Sequence, residues 1–242
     1  KKVMKKYLFI VMALLQALPV ISQKSASYQT AAVNETNLKA VMSISPYSSA
    51  LGFDNRYQGV KGSPRLLDTL APSLVLLKGQ SIYYEMDSDI DVVRNSVLFM
   101  GFSGGGLMEI PAENVLEVII RRHGSDIVFR PSAMLTFDRK PDGNKFYTVL
   151  KPGKYEFIKI PDREFEAADY QRLYSPDIRY DEFRKTDKYY ILGTDSVYHR
   201  VQLTRKSLGR LFPDRKQIIS ELYDEKVSAD PEADVAALLE KL

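Results

Sequence analysis

The sequence predicts a mainly β chain, an antiparallel meander forming a sandwich or a partly open barrel, finished by two or three short helices. Three observations predict it. Short runs rich in Val, Ile, Tyr and Phe recur from about residue 72. Turn-forming clusters stand between them, and no helical stretch separates the runs, as a parallel sheet would require. After residue 203 the apolar period changes from two to that of a helix.

Residues 1–22 read as a secretory signal peptide. Lys1, Lys2, Lys5 and Lys6 precede an apolar run from Tyr7 to Ile21 that Gln16 and Pro19 interrupt. A basic start, a short apolar centre and a small-residue exit define such a segment, and a spanning helix needs about 20 apolar residues. Val20 and Ser22 suit a cut between Ser22 and Gln23. The expected product has 220 residues, with 30 basic against 31 acidic side chains. The basic balance of the whole chain therefore belongs to the targeting segment, and overall attraction to nucleic acid or anionic lipid is not expected. With no cysteine, disulfides, thiolate chemistry, Cys-ligated zinc and a lipobox are excluded. The expected place is the periplasm or the outer-membrane surface.

Residues 23–60 show no sustained period and read as an irregular lead-in, with one short helix near Glu35–Met42. The β domain spans 61–203. Its expected strands are Leu74–Lys78, Ser81–Met86, Ile90–Val93, Val97–Met100, Val115–Ile120, Ile127–Arg130, Met134–Phe137, Phe146–Leu150, Tyr155–Ile160, Tyr189–Leu192 and Val197–Leu203. The intervening Gly, Asn and Pro clusters supply the backbone angles tight turns need. Residues 161–187 break this rhythm and read as a long loop, since Pro176 argues against a helix. Long loops are frequent binding elements, which makes Tyr170, Tyr174, Tyr180 and Phe183 a candidate binding cluster. Thr204 caps a helix over Arg205–Leu211. Pro213 and Asp214 separate it from a second over Arg215–Glu225, and Asp230 with Pro231 opens a third over Glu232–Leu242.

Four constellations are candidates for chemistry. Gly101-Phe102-Ser103-Gly104-Gly105 matches the Gly-x-Ser-x-Gly nucleophile elbow, which needs a sharp strand-to-helix turn. Its base is His123 or His199 with Asp126 or Asp195 behind it, and Ser103, Asp195 and His199 have the order that fold uses. Yet the residues that follow are glycines and Pro111, a hairpin loop rather than a helix start. Second, Glu85, Asp87, Asp89 and Asp91 alternate, so an extended strand would put their carboxylates on one face as a calcium or magnesium site. The glycine and glutamate of a calcium-binding loop are missing, and a solvated strand face broken by a turn at 87–89 explains the same pattern. Third, two histidines 76 positions apart lack the partners of a zinc site. Fourth, six basic residues and one acid lie between Arg200 and Lys216. Arg205, Lys206 and Arg210 there form a candidate peripheral contact with an anionic membrane, against internal pairing with the acids of the tail.

Tyr57-Gln58-Gly59-Val60-Lys61-Gly62-Ser63-Pro64, then Ser81-Ile82-Tyr83-Tyr84-Glu85 leading the meander, then Lys188-Tyr189-Tyr190 and the basic Arg205–Phe212 segment form a pattern. It resembles a family of uncharacterised exported proteins of Gram-negative envelopes, over most of residues 55–242. The resemblance implies export and the fold class, and carries no activity, cofactor or catalytic residue. No phosphate-loop motif is present, and no cofactor is expected. The expectation is a non-catalytic envelope protein that binds a protein, glycan or lipid. The alternatives are the Ser103 hydrolase and a carrier of an apolar ligand in a barrel mouth.

Overall fold

A computed structural model of the chain describes residues 60–101, 106–122, 125–168 and 180–242, with residues 30, 31, 39, 41, 43, 50, 51, 57 and 59. Lys39, Val41 and Ser43 are helical, the first two within the helix expected over Glu35–Met42 and the third one residue past it. The signal-peptide segment lies outside the described residues.

The chain is mainly β. Strands β3 (Ala71–Leu77), β4 (Tyr83–Asp91), β5 (Ser96–Met100), β6 (Leu107–Pro111), β7 (Val115–Arg122), β8 (Ser125–Pro131), β9 (Phe146–Lys151), β10 (Phe157–Ile160), β13 (Lys188–Leu192) and β14 (Tyr198–Val201) form one sheet in the order β14-β13-β10-β9-β8-β7-β3-β4-β5-β6. Two-residue strands complete it: β2 (Ala50–Leu51) beyond β6, and β1 (Thr30–Ala31), which pairs parallel with β4. The sheet does not close into a barrel. Strands β11 (Arg163–Glu166) and β12 (Glu182–Lys185) form a separate antiparallel pair.

In β3 four of seven residues, Ser73, Leu74, Val75 and Leu77, are buried, the near-continuous pattern of a strand covered on both faces. Its neighbours β4 and β7 add Met86, Ile90, Val118 and Ile120 to a core that also holds Val97, Phe99 and Ile110. The C-terminal strands carry a second core. One face packs Phe157, Ile191 and Val201 against helices α1 (Arg205–Leu211), α2 (Lys216–Leu222) and α3 (Pro231–Glu240), through Leu208, Phe212, Ile219, Val235, Leu238 and Leu239. The other face packs Ile158, Ile160, Tyr190 and Tyr198 against Leu135 and Phe137. Thr204 and Asp230 cap α1 and α3 by accepting from the Ser207 and Ala233 amides, as their hydroxyl and carboxylate predict.

The structure corrects four local expectations. Strand β4 runs unbroken through 87–89, because Ser88 pairs with both Ala71 and Phe99 and the buried Asp89 is held by Arg65. The turn comes four residues later, where Asp91 accepts from the Val93 and Arg94 amides and Asn95 adopts φ 59°, a left-handed angle Asn tolerates. Strand β6 follows directly on the glycine run and was not anticipated. Residues 134–137 are not a strand: Ser132–Met134 is a single 3-10 turn after Pro131, and only Phe137 bridges, to Tyr198.

The fourth correction is the segment 161–187, whose two ends are β11 and β12 rather than loop. Asp162 and Asp187 flank them, and the Thr186 amide donates to the Asp162 carbonyl at 3.1 Å. The N-terminal residue Lys61 adds a third, parallel rung to Glu182. Gly62 makes this approach possible: its φ is +79°, and a Cβ there would lie 2.9 Å from the Phe183 carbonyl oxygen.

Candidate functional site

Ser103 lies outside the described residues, as does His123, but the strands flanking Ser103 define its context. Strand β5 leads into the motif and β6 leaves it as β5's antiparallel partner, with Met100 opposite Leu107. Gly101 N–H donates to the Gly106 carbonyl at 3.1 Å. The described residues on either side of the motif are therefore paired antiparallel strands, and β6 rather than a helix follows it, unlike a nucleophile elbow. Asp195 and His199 do meet: His199 Nε2 lies 3.0 Å from Asp195 Oδ2. His199 Nδ1, however, lies 3.5 Å from Asp138 Oδ2. Both ring nitrogens therefore face carboxylates. The hydrogen bond from His199 also holds the Asp195 carboxyl below its usual range. Seven strands separate β5 from β14 in the open sheet, about 38 Å measured along it at roughly 4.8 Å per step. Of this set the structure brings together Asp195 and His199, with Ser103 outside the described residues. Asp126 lies at an exposed position of β8, away from His199.

The alternating carboxylates do not converge either. Asp87 is exposed. Asp89 accepts from the Ile90 and Leu67 amides at 2.7 and 3.1 Å and from Arg65 Nε at 3.0 Å. Burial nevertheless raises the Asp89 and Asp91 carboxyls above the usual range. Asp91 is committed to its turn. Asp87, Asp89 and Asp91 form no group that could hold a metal ion.

Of the tyrosine-rich cluster, Tyr170 and Tyr174 lie outside the described residues. Tyr180 is 66% exposed, whereas Phe183 is 6% exposed. Phe183 packs edge-on against Tyr57 and Phe165, with ring centroids 4.9 and 5.5 Å away, so it is a packing residue of the β11–β12 pair.

Among the hollows of the described surface, two are large. The first, of about 760 Å³, has an apolar floor of Leu66, Leu67, Ile127, Phe129, Val149 and Leu150. Most of its rim charges pair with one another. Lys159 Nζ lies 2.9 Å from Asp187 and 2.7 Å from Glu232, Arg163 and Lys185 also reach Asp187, and Arg130 pairs with Glu117. Burial works against the Lys159 ammonium, but its hydrogen bonds to Glu232 and Asp187 offset this and hold it above its usual value.

The second hollow is a groove of about 990 Å³ between β14, α1 and the segment after Phe137. Arg139, Lys188, Arg200, Lys206 and Arg210 line it, against Asp138 and Asp187. Lys188 is paired with Asp162 at 2.6 Å, and Asp187 is answered by three cations. Among the described residues Arg139, Arg200, Lys206 and Arg210 have no carboxylate partner. Asp138 organises the floor. Its Oδ1 accepts from the amides of Arg139 and Arg200 at 2.6 and 3.0 Å, which sets these two residues on either side of it.

Arg205, one of the three cations expected to face a membrane, turns away to Asp224 and Glu225. The apolar side of α1, Leu208 and Phe212, is buried in the core, so this helix has no apolar face to lay on a bilayer. The sequence pointed to Arg200, Lys206 and Arg210 but missed Arg139 and Lys188. Arg139 is brought there by the parallel bridge from Phe137 to Tyr198, a non-local pairing that no local pattern announces. Among the described residues no helix is long and apolar enough to cross a membrane.

In comparisons with protein-family models, characterised proteins and solved structures, the chain matches none.

Proposed function

We propose that this chain is a non-catalytic exported envelope protein, a binding or assembly component whose groove between β14 and α1 takes an anionic ligand. Export rests on the targeting pattern of residues 1–22 and on the family resemblance of residues 55–242. One observation carries the binding reading: four cations without acidic partners among the described residues converge on one concavity from three separate chain segments. The 30-to-31 balance of the expected exported chain makes that concentration a local feature rather than a consequence of net charge. A concave surface with an excess of one sign of charge focuses its field and attracts counter-charged ligands. The other hollow has most of its charges internally paired, so the groove is the better site.

Thermal unfolding in the presence of inorganic tripolyphosphate tests this. A ligand bound only by the folded state adds about 2.7 kcal/mol at a hundred times its Kd. The unfolding midpoint is expected to rise with tripolyphosphate at low salt, and the rise to fade as sodium chloride screens the groove. The double substitution Arg200→Glu with Arg210→Glu should abolish the rise. An equal rise in wild type and variant, or none in wild type, contradicts the reading.

A further inference from the structure

We infer that the ligand of this groove is a polyanionic saccharide, a linear glycan carrying carboxylate or phosphate groups on successive units; the inference rests on the anion-binding reading above and narrows it. The cations are distributed rather than focused on one point. Arg139 comes from the segment after Phe137 and Arg200 from β14, while Lys206 and Arg210 share one face of α1 at a spacing of four residues. Side chains four apart on a helix stand about 6 Å from each other, and the other two start from backbone amides that meet at the same Asp138 oxygen. A chain of anions can meet the pair on α1 and the pair beside Asp138 at once. Three of the four are guanidinium groups, whose planar fork matches carboxylate and phosphate oxygens two at a time.

Size and wall chemistry point the same way. Pockets for compact ligands run to about 300–1,000 Å³, and this groove, at about 990 Å³, lies at the upper end of that range. Between the cations, Tyr189, Leu203, Leu211 and Pro231 supply apolar surface. Sugar rings present C–H faces that suit such surface.

Two other anionic partners fit less well. A bilayer is excluded from a concavity, and Leu208 and Phe212 are already spent on the core. An acidic peptide binding as an added strand needs free backbone on β14. That edge is taken: Tyr198 N–H donates to the Thr136 carbonyl, Asp138 N–H to the Tyr198 carbonyl, and Arg200 N–H to Asp138 Oδ1.

Calorimetric titration of the purified protein with oligogalacturonides, graded from the disaccharide to the octasaccharide, tests the inference. Galacturonate and inorganic phosphate serve as single-anion probes, and phosphatidylglycerol vesicles as the membrane probe. Affinity is expected to climb with chain length and then level off, to weaken with added salt, and to fall about tenfold or more in each of Arg139→Gln, Arg200→Gln and Arg210→Gln. Circular dichroism melts of these variants should match wild type, which separates lost contacts from lost folding. Phosphate binding as tightly as the longest oligosaccharide overturns the saccharide inference and leaves the anion-binding reading standing. Vesicle binding without oligosaccharide binding overturns it in favour of a membrane surface. If tripolyphosphate, oligosaccharides and vesicles all fail to bind, the anion-binding reading falls with it.

Discussion

Lys145 and Asp162 form an ion pair at 2.9 Å in which both residues are only 7% exposed. The same Lys145 ammonium donates to the Val92 carbonyl at 2.9 Å, and the second Asp162 oxygen accepts from Lys188 at 2.6 Å. One carboxylate thus joins the β4–β5 turn, the start of β9 and the start of β13. Lys188 borders the groove, so this buried knot also fixes one of its walls.

Replacing Asp162 should therefore destabilise strongly. Asp162→Asn leaves the buried Lys145 without a counter-charge, a loss of about 3–5 kcal/mol for a broken buried pair. Burial alone would raise the Asp162 carboxyl, but the hydrogen bonds from Lys188 and Lys145 win and hold it below its ordinary value. Its folded pKa is then lower than its unfolded one, so its contribution is present above about pH 3.9 and lost as pH falls through the folded value. Melts of wild type and variant from pH 6 to pH 3 should converge on acidification. A pH-independent gap between them would refute this role.

Gly62 should not tolerate a side chain. Its left-handed φ and the 2.9 Å approach to the Phe183 carbonyl give Gly62→Ala both backbone strain and a clash with main chain. The expected cost is about 1–3 kcal/mol, concentrated at the Lys61–Glu182 rung. Hydrogen exchange should show faster exchange of the Lys61 and Phe183 amides, which donate to the Asp181 and Lys61 carbonyls. Unchanged protection at both amides would count against the packing described.

The two neighbouring arginines of the basic segment should separate cleanly. Arg205 pairs with Asp224 and Glu225, a half-exposed contact worth about 0–1 kcal/mol, so Arg205→Glu should lower the melting midpoint slightly and leave anion binding intact. Arg200→Glu should do the reverse. Finding that both substitutions weaken binding equally would mean that the groove is not the site.

Neither serine chemistry nor calcium should register. The hairpin context of residues 97–111 and the doubly occupied His199 ring predict that a serine-reactive phosphonate leaves the wild-type protein unlabelled. Labelling that Ser103→Ala abolishes would reopen the hydrolase. The commitment of Asp89 and Asp91 to Arg65 and to backbone amides predicts no shift in melting midpoint with calcium or a chelator.

What could be read from the sequence followed from local patterns. The strands around Val75, Val118 and Ile191 and the caps at Thr204 and Asp230 announce themselves through alternation, turn residues and hydroxyl or carboxylate positions. Strand β4 was misread at 87–89 because three polar residues in a row imitate a turn, while the partner that neutralises Asp89, Arg65, lies 24 positions away. Strands β11 and β12 were missed because they pair with each other and with Lys61 rather than with the meander. The basic side of the groove was half visible, since Arg200, Lys206 and Arg210 are close in sequence. Its other half was not, because Arg139 and Lys188 arrive through a parallel bridge and a buried carboxylate. The Ser103, Asp195, His199 set shows the same limit from the other side: residue order does not tell that seven strands stand between β5 and β14.

The central claim is that the groove between β14 and α1 is where this protein meets an anion, and backbone amide NMR with an oligogalacturonide tests it most directly. The account predicts that shift changes cluster at Arg139, Arg200, Lys206 and Arg210 and vanish with Arg200→Glu and Arg210→Glu together. Changes centred on Arg122, Ile127 and Arg163 around the other hollow, or no changes at all, would contradict it.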